Sequence, residues 1–252
     1  MVRPVRWSAV SVWHRSFPVA DSFAVTAPFR ILTVCTMNIC RSPAMEVVLA
    51  RQPQWAGLPD GVVEVGSAGT HAFAGATSCD ISLAMVGVGE YLGVSQQVTP
   101  ELLTGVDLVL AADRGHCATV AGMAPGINTR CFTARGAARL AKWVVDSGAL
   151  GIAERKAAGD TVIADREHPE TLAEPLPADP LARLRWLVVE MDAGRGLAPI
   201  DELALLMPFG HDDIPDPHVV GFNMHAISAE LIMGAVAGWA RVVDQVLAVP
   251  IS

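Results

Sequence analysis

A strand-like segment that ends abruptly in a polar loop constrains the fold of this chain more than any other feature. The segment FRILTVC (29–35) is apolar and rich in β-forming residues, and a helical pattern, SPAMEVVLARQ (42–52), follows the loop. Ser42 followed by Pro43 is a typical helix start, with Ser as the N-cap residue. The pattern therefore predicts a strand, a tight loop and a helix in succession.

The same alternation of strand and helix continues along the chain. Further strands are predicted at GVVEVGSAGT (61–70), VDLVLAAD (106–113) and INTRCFT (127–133), and further helices at 78–94, 135–148, 181–194 and 222–248. Strands that alternate with helices favour a parallel sheet that is covered on both faces. The sequence therefore predicts an α/β fold with a four-stranded parallel sheet and flanking helices.

The segment at about 134–205 departs from this alternation, because it joins helical patterns through a loop rich in Ala, Pro and charge. It is predicted to be a helical insertion, placed before the last helix, in a domain that spans 29–252. The last helix should bury a stripe of apolar residues, Ile227, Leu231, Ala235, Trp239, Val242 and Val246. Residues 1–28 contain no uninterrupted apolar run, which predicts a flexible extension rather than a signal peptide.

Charge and cysteine content narrow the class of protein. A net charge of −8 opposes a nucleic-acid partner, which usually requires a basic patch. Charge or Pro interrupts the apolar stretches before membrane-spanning length, so no membrane association is predicted. Five cysteines without a repeated spacing fit neither a disulfide framework nor a zinc site. A cytoplasmic location is therefore expected, with no metal or cofactor, and the acidic HDD segment (211–213) and His218 are interpreted as parts of a solvated loop.

The loop VCTMNICRSP (34–43) brings a thiol and a guanidinium close together. Backbone N–H groups in such a turn form an anion-binding nest, and the helix N-terminus adds positive potential. The same field favours the thiolate form of Cys35. Arg41 offers a planar fork that matches two phosphoryl oxygens. The loop is therefore suited to hold a phosphoryl group while Cys35 attacks phosphorus.

The same string resembles the signature of the low-molecular-weight protein tyrosine phosphatases, V-C-x-G-N-x-C-R-S-P near the start of the chain. That family also carries a D-P motif near its C-terminus, which is matched here at Asp216. The segment LVLAADRGH places Asp113 at a family carboxylate position. The resemblance covers roughly 30–133 and 206–248. It implies a phosphomonoester hydrolase, most specifically a protein tyrosine phosphatase, that acts on a phosphorylated protein or a small aryl phosphate.

The resemblance also implies a role for individual residues. Cys35 would be the nucleophile that forms a cysteinyl-phosphate, Arg41 the phosphate clamp, and Asp216 the general acid. Ser67 would support the loop by a hydrogen bond to Asn38. The residues expected to bind phosphate are Thr36, Met37, Asn38, Ile39, Cys40, Arg41 and Ser42.

Three departures from the family pattern bear on activity. Met37 replaces the family glycine, which costs about 1–2 kcal/mol if that position needs a positive φ and otherwise only changes the pocket wall. Gly93 replaces a frequent histidine, which weakens the network expected to orient Asn38. His218 and Val219 stand where many members have aromatic residues, which puts the preference for phosphotyrosine in question.

Three alternatives to a phosphatase remain: an arsenate reductase, a phosphate-binding module, and an interaction protein that uses the insertion at about 134–205. Cys40 also has two possible roles. An arsenate reductase on the same scaffold would need relay cysteines, and Cys79 and Cys117 are not closely spaced in sequence. A catalytically weak phosphate-binding module would fit the family departures. Cys40 is either a small buried residue or a partner that forms a reversible disulfide with oxidised Cys35. The oligomeric state is left open by the sequence.

Overall fold

Four parallel strands form the centre of the fold. A computed structural model describes residues 27–89, 91–200, 209–220 and 223–250. The strands are β1 (Phe29–Cys35), β2 (Val63–Gly69), β3 (Leu108–Ala111) and β4 (Cys131–Thr133). They are arranged in the order β2-β1-β3-β4, and every neighbouring pair is parallel. The predicted α/β class with a four-stranded parallel sheet is confirmed.

Helices cover both faces of the sheet. They are α1 (Arg41–Ala50), α2 (Asp80–Met85), α3 (Pro100–Leu103), α4 (Arg114–Ala121), α5 (Ala134–Asp146), α6 (Ala149–Ala157), α7 (Pro180–Ala193), α8 (Pro217–Val220) and α9 (Met224–Ala248). Successive residues of β1 point to opposite faces, so Ile31 joins the larger apolar core and Leu32 the smaller one. The larger core includes side chains of α1, α5, α7 and α9, whereas Leu103 of α3 and Val120 of α4 lie in the smaller core.

The segment predicted as an insertion contributes to the main core. Within its described part, α5 packs against both α7 and α9. Leu140 and Val144 of α5 and Leu184 and Leu187 of α7 are buried in the same apolar cluster as the sheet. These helices are therefore part of the main body of the fold. Residues 201–205 of the predicted insertion, and residues 1–26 of the predicted extension, lie outside the described residues.

The buried face of α9 differs from the predicted stripe at its N-terminal end. Trp239, Val242 and Val246 are buried as expected, but Ile227 is 40% exposed. The buried positions near the start of the helix are instead His225, Ser228, Ala229 and Ile232. The error has a geometric cause, since residues spaced by four advance further than one 3.6-residue turn and drift around the helix.

By length and composition alone, α9 (Met224–Ala248) could cross a membrane. As the sequence indicated, charged residues interrupt its apolar stretches, at Glu230, Arg241 and Asp244. In addition, 50% of its most apolar window is buried inside the protein, where the helix packs against α5 and α1. The core helix of a water-soluble protein passes the same test, so the absence of a membrane partner remains a prediction.

Two local predictions of helix bounds were also wrong. The helix predicted over 78–94 ends at Met85, because Gly87 adopts a left-handed conformation with φ 76° and stops the helix. The first helix begins at Arg41 with Cys40 as its N-cap residue. Ser42 therefore lies inside the first turn, where its hydroxyl is turned toward the preceding loop rather than capping the helix.

Candidate active site

The central strand β1 places Cys35 at the carboxyl edge of the sheet, where parallel α/β folds bind ligands. The Cys35 side chain is buried, and its Sγ lies 3.1 Å from the Oγ of Ser42. The Ser42 hydroxyl is thus within hydrogen-bonding distance of the sulfur. A hydroxyl in this position stabilises a thiolate and eases its departure from a bound group.

Asn38 fixes the shape of the loop between Cys35 and Arg41. Its side chain is buried, and its Nδ2 donates to the Oγ of Ser42 at 2.9 Å and to the Oγ of Ser67 at 2.8 Å. Its Oδ1 accepts a hydrogen bond of 2.9 Å from the backbone N–H of Gln96. With both ends of the amide bonded, Asn38 ties the loop to β2 and to the segment before α3.

The backbone of the loop also settles the question raised by Met37. Among the described residues other than glycine, only Asn38 has a positive φ, at 54°. Asparagine tolerates this conformation better than most residues, and Met37 bears no such strain. Gly69 of β2 runs close beneath the loop, because a Cβ there would lie 2.5 Å from the carbonyl oxygen of Thr36. A side chain at position 69 would therefore displace the loop.

Arg41 connects the loop to two acidic side chains that are remote in sequence. Its guanidinium is almost fully buried; Nη1 donates to Asp113 at 3.3 Å and to the carbonyl of Ile214 at 3.1 Å. Nη2 donates to the Oγ1 of Thr36 at 3.1 Å and to the Oδ2 of Asp216 at 2.6 Å. The structure thus brings Asp216 to the loop, although 175 positions separate it from Arg41.

His116 is a contributor to this network that the sequence reading missed. Its Nδ1 lies 2.9 Å from Asp113, and its Nε2 lies 2.9 Å from the Oγ1 of Thr36. Burial opposes ionisation of Asp113, but the hydrogen bonds and charge of His116, together with the charge of Arg41, lower its pKa to about 2. Asp113 is thus an ionised anchor for Arg41. The sequence does contain a signal for this contact. Asp113 is the N-cap residue of α4, and His116 lies three residues later, where its backbone N–H donates to the cap.

The segment before Asp216 is held by ion pairs. Asp212 pairs with Arg139 at 2.7 Å, and Asp213 pairs with Arg114 at 3.2 Å. Both carboxylates are mostly buried, with side-chain exposures of 13% and 16%. The interpretation of HDD as a solvated loop was therefore wrong, because these two aspartates attach the segment to α4 and α5.

Gly93 does not leave Asn38 without a partner, since Gln96 supplies the hydrogen bond. The glycine instead makes room for an aromatic ring, because a Cβ at position 93 would clash with the ring of Tyr91. The Tyr91 hydroxyl donates to the Oε2 of Glu46 at 2.7 Å. Burial raises the pKa of Glu46 above its ordinary value.

Glu46→Gln is expected to increase thermal stability at pH 8 more than at pH 5. The folded pKa of Glu46 is raised, so its contribution to stability is complete below the ordinary value of about 4.3 and is lost as pH rises through the folded value. Glutamine cannot ionise and removes that loss. Thermal unfolding of both proteins at the two pH values tests this, with Glu230→Gln on the exposed face of α9 as the control. A stability difference that is independent of pH would contradict the expectation.

Comparison with known proteins finds a family that the loop resembles. The family model described as "Low molecular weight phosphotyrosine protein phosphatase" matches residues 30–154. This part of the chain is therefore similar to that family. The matched range contains the Cys35–Arg41 loop of the phosphatase family together with Ser67 and Asp113, whereas Asp216 lies beyond it.

Curated relatives carry the same family name. A low molecular weight protein-tyrosine-phosphatase, Etp, from Escherichia coli K12 is 39% identical over 101 residues, which is 38% of this chain and 63% of the relative. A low molecular weight protein-tyrosine-phosphatase from Streptomyces coelicolor is 34% identical over 100 residues, 38% of this chain and 60% of the relative. This chain thus spans about three fifths of the length of these phosphatases.

Solved structures of phosphatases also resemble the chain. Wzb from Vibrio vulnificus in complex with benzylphosphonate aligns with a TM-score of 0.49 and 19% identity, covering 84% of this chain and 97% of Wzb. The tyrosine phosphatase AmsI from Erwinia amylovora aligns with a TM-score of 0.48 and 17% identity, covering 87% and 96% of the two chains.

Proposed function

We propose that this chain is a phosphomonoester hydrolase of the protein tyrosine phosphatase type. The observation that carries the proposal is the convergence of Cys35, Arg41 and Asp216 at the carboxyl end of β1, with Arg41 and Asp216 in contact at 2.6 Å. A nucleophile, a phosphate clamp and a proton donor are the parts that a cysteine-dependent phosphatase requires. The family that residues 30–154 resemble supports the same assignment.

The first half of the reaction forms a phosphocysteine. The Cys35 thiolate attacks phosphorus, and the S–P bond forms as the bond to the leaving oxygen breaks. The N–H groups of residues 36–42 and the fork of Arg41 hold the phosphoryl oxygens and stabilise their charge in the transition state. Asp216 donates its proton to the leaving oxygen.

The second half regenerates the thiolate. Asp216, now a carboxylate, accepts a proton from water as the water attacks phosphorus. The S–P bond breaks, and its electron pair returns to Cys35, where the hydroxyl of Ser42 at 3.1 Å stabilises the thiolate. Inorganic phosphate is released, and every step uses groups of this chain.

The proposed substrate is a phosphotyrosine side chain of a protein or a small aryl phosphate. The support is the printed name of the family and of both curated relatives. Residues 29–252 are proposed to act as one phosphatase-like unit. Within it, the segment at about 134–205 is an insertion that precedes the segment carrying Asp216. The proposed location is the cytoplasm.

Turnover of a generic aryl phosphate by the reduced protein tests the proposal directly. Thiol-dependent reduction of arsenate and equilibrium binding of inorganic phosphate should be measured on the same preparation. Release of phosphate that saturates with substrate, without arsenate reduction, supports the phosphatase. Arsenate reduction without phosphatase turnover, or phosphate binding without either reaction, would contradict it.

Arg41→Lys is expected to lower the catalytic efficiency with aryl phosphate by about 10–100-fold, because lysine keeps the charge but loses the bidentate fork. It also cannot reproduce the four hydrogen bonds that Arg41 makes to the loop and to the acidic residues. Steady-state kinetics should show a higher KM and a lower kcat. Arg155→Lys is the matched control, because Arg155 is an exposed residue of α6. Near-normal efficiency in Arg41→Lys would remove Arg41 from the clamp role.

A further inference from the structure

A cluster of two thiols and an imidazole lies beside the phosphate loop. The sulfur atoms of Cys40 and Cys79 and a ring nitrogen of His218 all lie within 4.8 Å of one another. Cys40 is the N-cap residue of α1, Cys79 is the N-cap residue of α2, and His218 belongs to α8. Three separate elements thus direct metal-binding atoms to one point.

A second imidazole extends the cluster. The Nε2 of His225, at the start of α9, lies 3.6 Å from the sulfur of Cys79. The rings of His218 and His225 meet edge to face, with their centroids 5.0 Å apart. Two sulfur and two imidazole groups are therefore neighbours, which is a common ligand set of tetrahedral zinc.

The cluster combines a buried ligand with an accessible one. A divalent cation bound there would balance the charge of two thiolates. His218 is exposed, whereas Cys40 is buried, so the cluster can be reached from solvent.

We propose that Cys40, Cys79 and His218 form a binding site for Zn²⁺, with His225 adjacent as a candidate fourth ligand. Bond lengths of about 2.3 Å to sulfur and 2.0–2.1 Å to nitrogen place tetrahedral ligand atoms roughly 3.5–3.8 Å apart. The ligand atoms lie within 4.8 Å of one another, so binding would require them to approach by about 1 Å. Binding releases the two thiol protons to solvent and transfers no electrons. This site replaces the earlier expectation of no metal and does not rest on the proposed function.

A metal ion bound at this site would restrain the segment that carries Asp216, the proposed general acid. The backbone N–H of His218 donates to the Oδ1 of Asp216 at 2.9 Å. A metal ion on His218 would therefore connect the segment that carries Asp216 to the N-termini of α1 and α2. The ligands do not include Cys35, so the ion would lie beside the proposed nucleophile without using it.

Titration of the reduced, metal-free full chain with Co²⁺, a spectroscopic substitute for Zn²⁺, tests the site. The expected result is one equivalent bound, with sulfur-to-cobalt charge-transfer absorption that Zn²⁺ abolishes by displacement. Cys79→Ala and His218→Ala should each weaken binding by more than the roughly 10–100-fold that loss of an outer-shell partner costs. Cys117→Ala and His168→Ala are the matched controls and should bind as the unmodified chain does.

Several results would overturn the proposal. They are the absence of a thiolate–cobalt band in the unmodified chain, unchanged affinity in Cys79→Ala or His218→Ala, and loss of the band in Cys117→Ala. If a variant fails to fold, alkylation of the unmodified chain, read peptide by peptide, gives the answer. Zn²⁺ should then slow the alkylation of Cys40 and Cys79 but not of Cys117, and equal rates with and without Zn²⁺ refute the site. Phosphatase turnover enters none of these readouts, so an inactive chain that binds Zn²⁺ would leave the metal site standing.

Discussion

Cys35→Ser is expected to reduce aryl phosphate turnover to background while leaving the fold and the binding of inorganic phosphate intact. A serine hydroxyl does not ionise in the field that stabilises a thiolate, so the nucleophile is lost. The substitution is small, and the loop keeps its shape through Asn38 and its bonds to Ser42, Ser67 and Gln96. Phosphate release, phosphate binding by calorimetry and thermal unfolding measure the three properties.

A matched control separates loss of the nucleophile from loss of a buried sulfur. Cys131, at the start of β4, is buried to the same extent as Cys35, with 3% of its surface exposed. Cys131→Ser should therefore retain turnover. Appreciable hydrolysis by a clean Cys35→Ser preparation would exclude Cys35 as the nucleophile, and it would exclude the proposed phosphocysteine with it.

Asp216→Asn is expected to lower the rate by about 10²–10⁴ with a tyrosine phosphate, whose leaving oxygen needs a proton. The loss should be much smaller for phosphorylation of Cys35 by an activated aryl phosphate, because its phenolate leaves with little protonation. Single-turnover measurements isolate this step from the later attack of water. The dependence on the leaving group is therefore a sharper test than either rate alone.

Asp213→Asn is the control for this prediction. Asp213 lies three residues earlier but pairs with Arg114, whereas Asp216 contacts Arg41. Asp213→Asn weakens the ion pair with Arg114 that attaches this segment, so it should change the rates with both substrates by a similar factor. If Asp213→Asn shows the leaving-group dependence and Asp216→Asn does not, the acid has been assigned to the wrong residue.

Local patterns in the sequence were sufficient to predict the strands and the loop that follows β1. FRILTVC and VDLVLAAD are short apolar runs with turn signals at their ends, and both form strands of the parallel sheet. Parallel pairing places the carboxyl ends of neighbouring strands at one edge, which is why the position of the loop could be anticipated.

Contacts between remote residues could not be read from periodicity. The presence of Asp216 and Arg41 in one site was expected only from the family resemblance, because no local pattern relates residues 175 positions apart. The pairing of Asp212 with Arg139 was missed for the same reason. The early end of α2 was missed because its apolar residues continue in a helical rhythm past Gly87, whose backbone conformation overrides them.

The contact between Arg41 and Asp216 has a consequence for the end of the proposed catalytic cycle. In the structure the carboxylate of Asp216 occupies one edge of the guanidinium, 2.6 Å from Nη2, while Asp113 holds the other nitrogen. An incoming phosphoryl group must displace Asp216, and the same carboxylate competes for Arg41 once inorganic phosphate is all that remains. We therefore expect this internal competitor to weaken the retention of phosphate and to speed the clearing of the site.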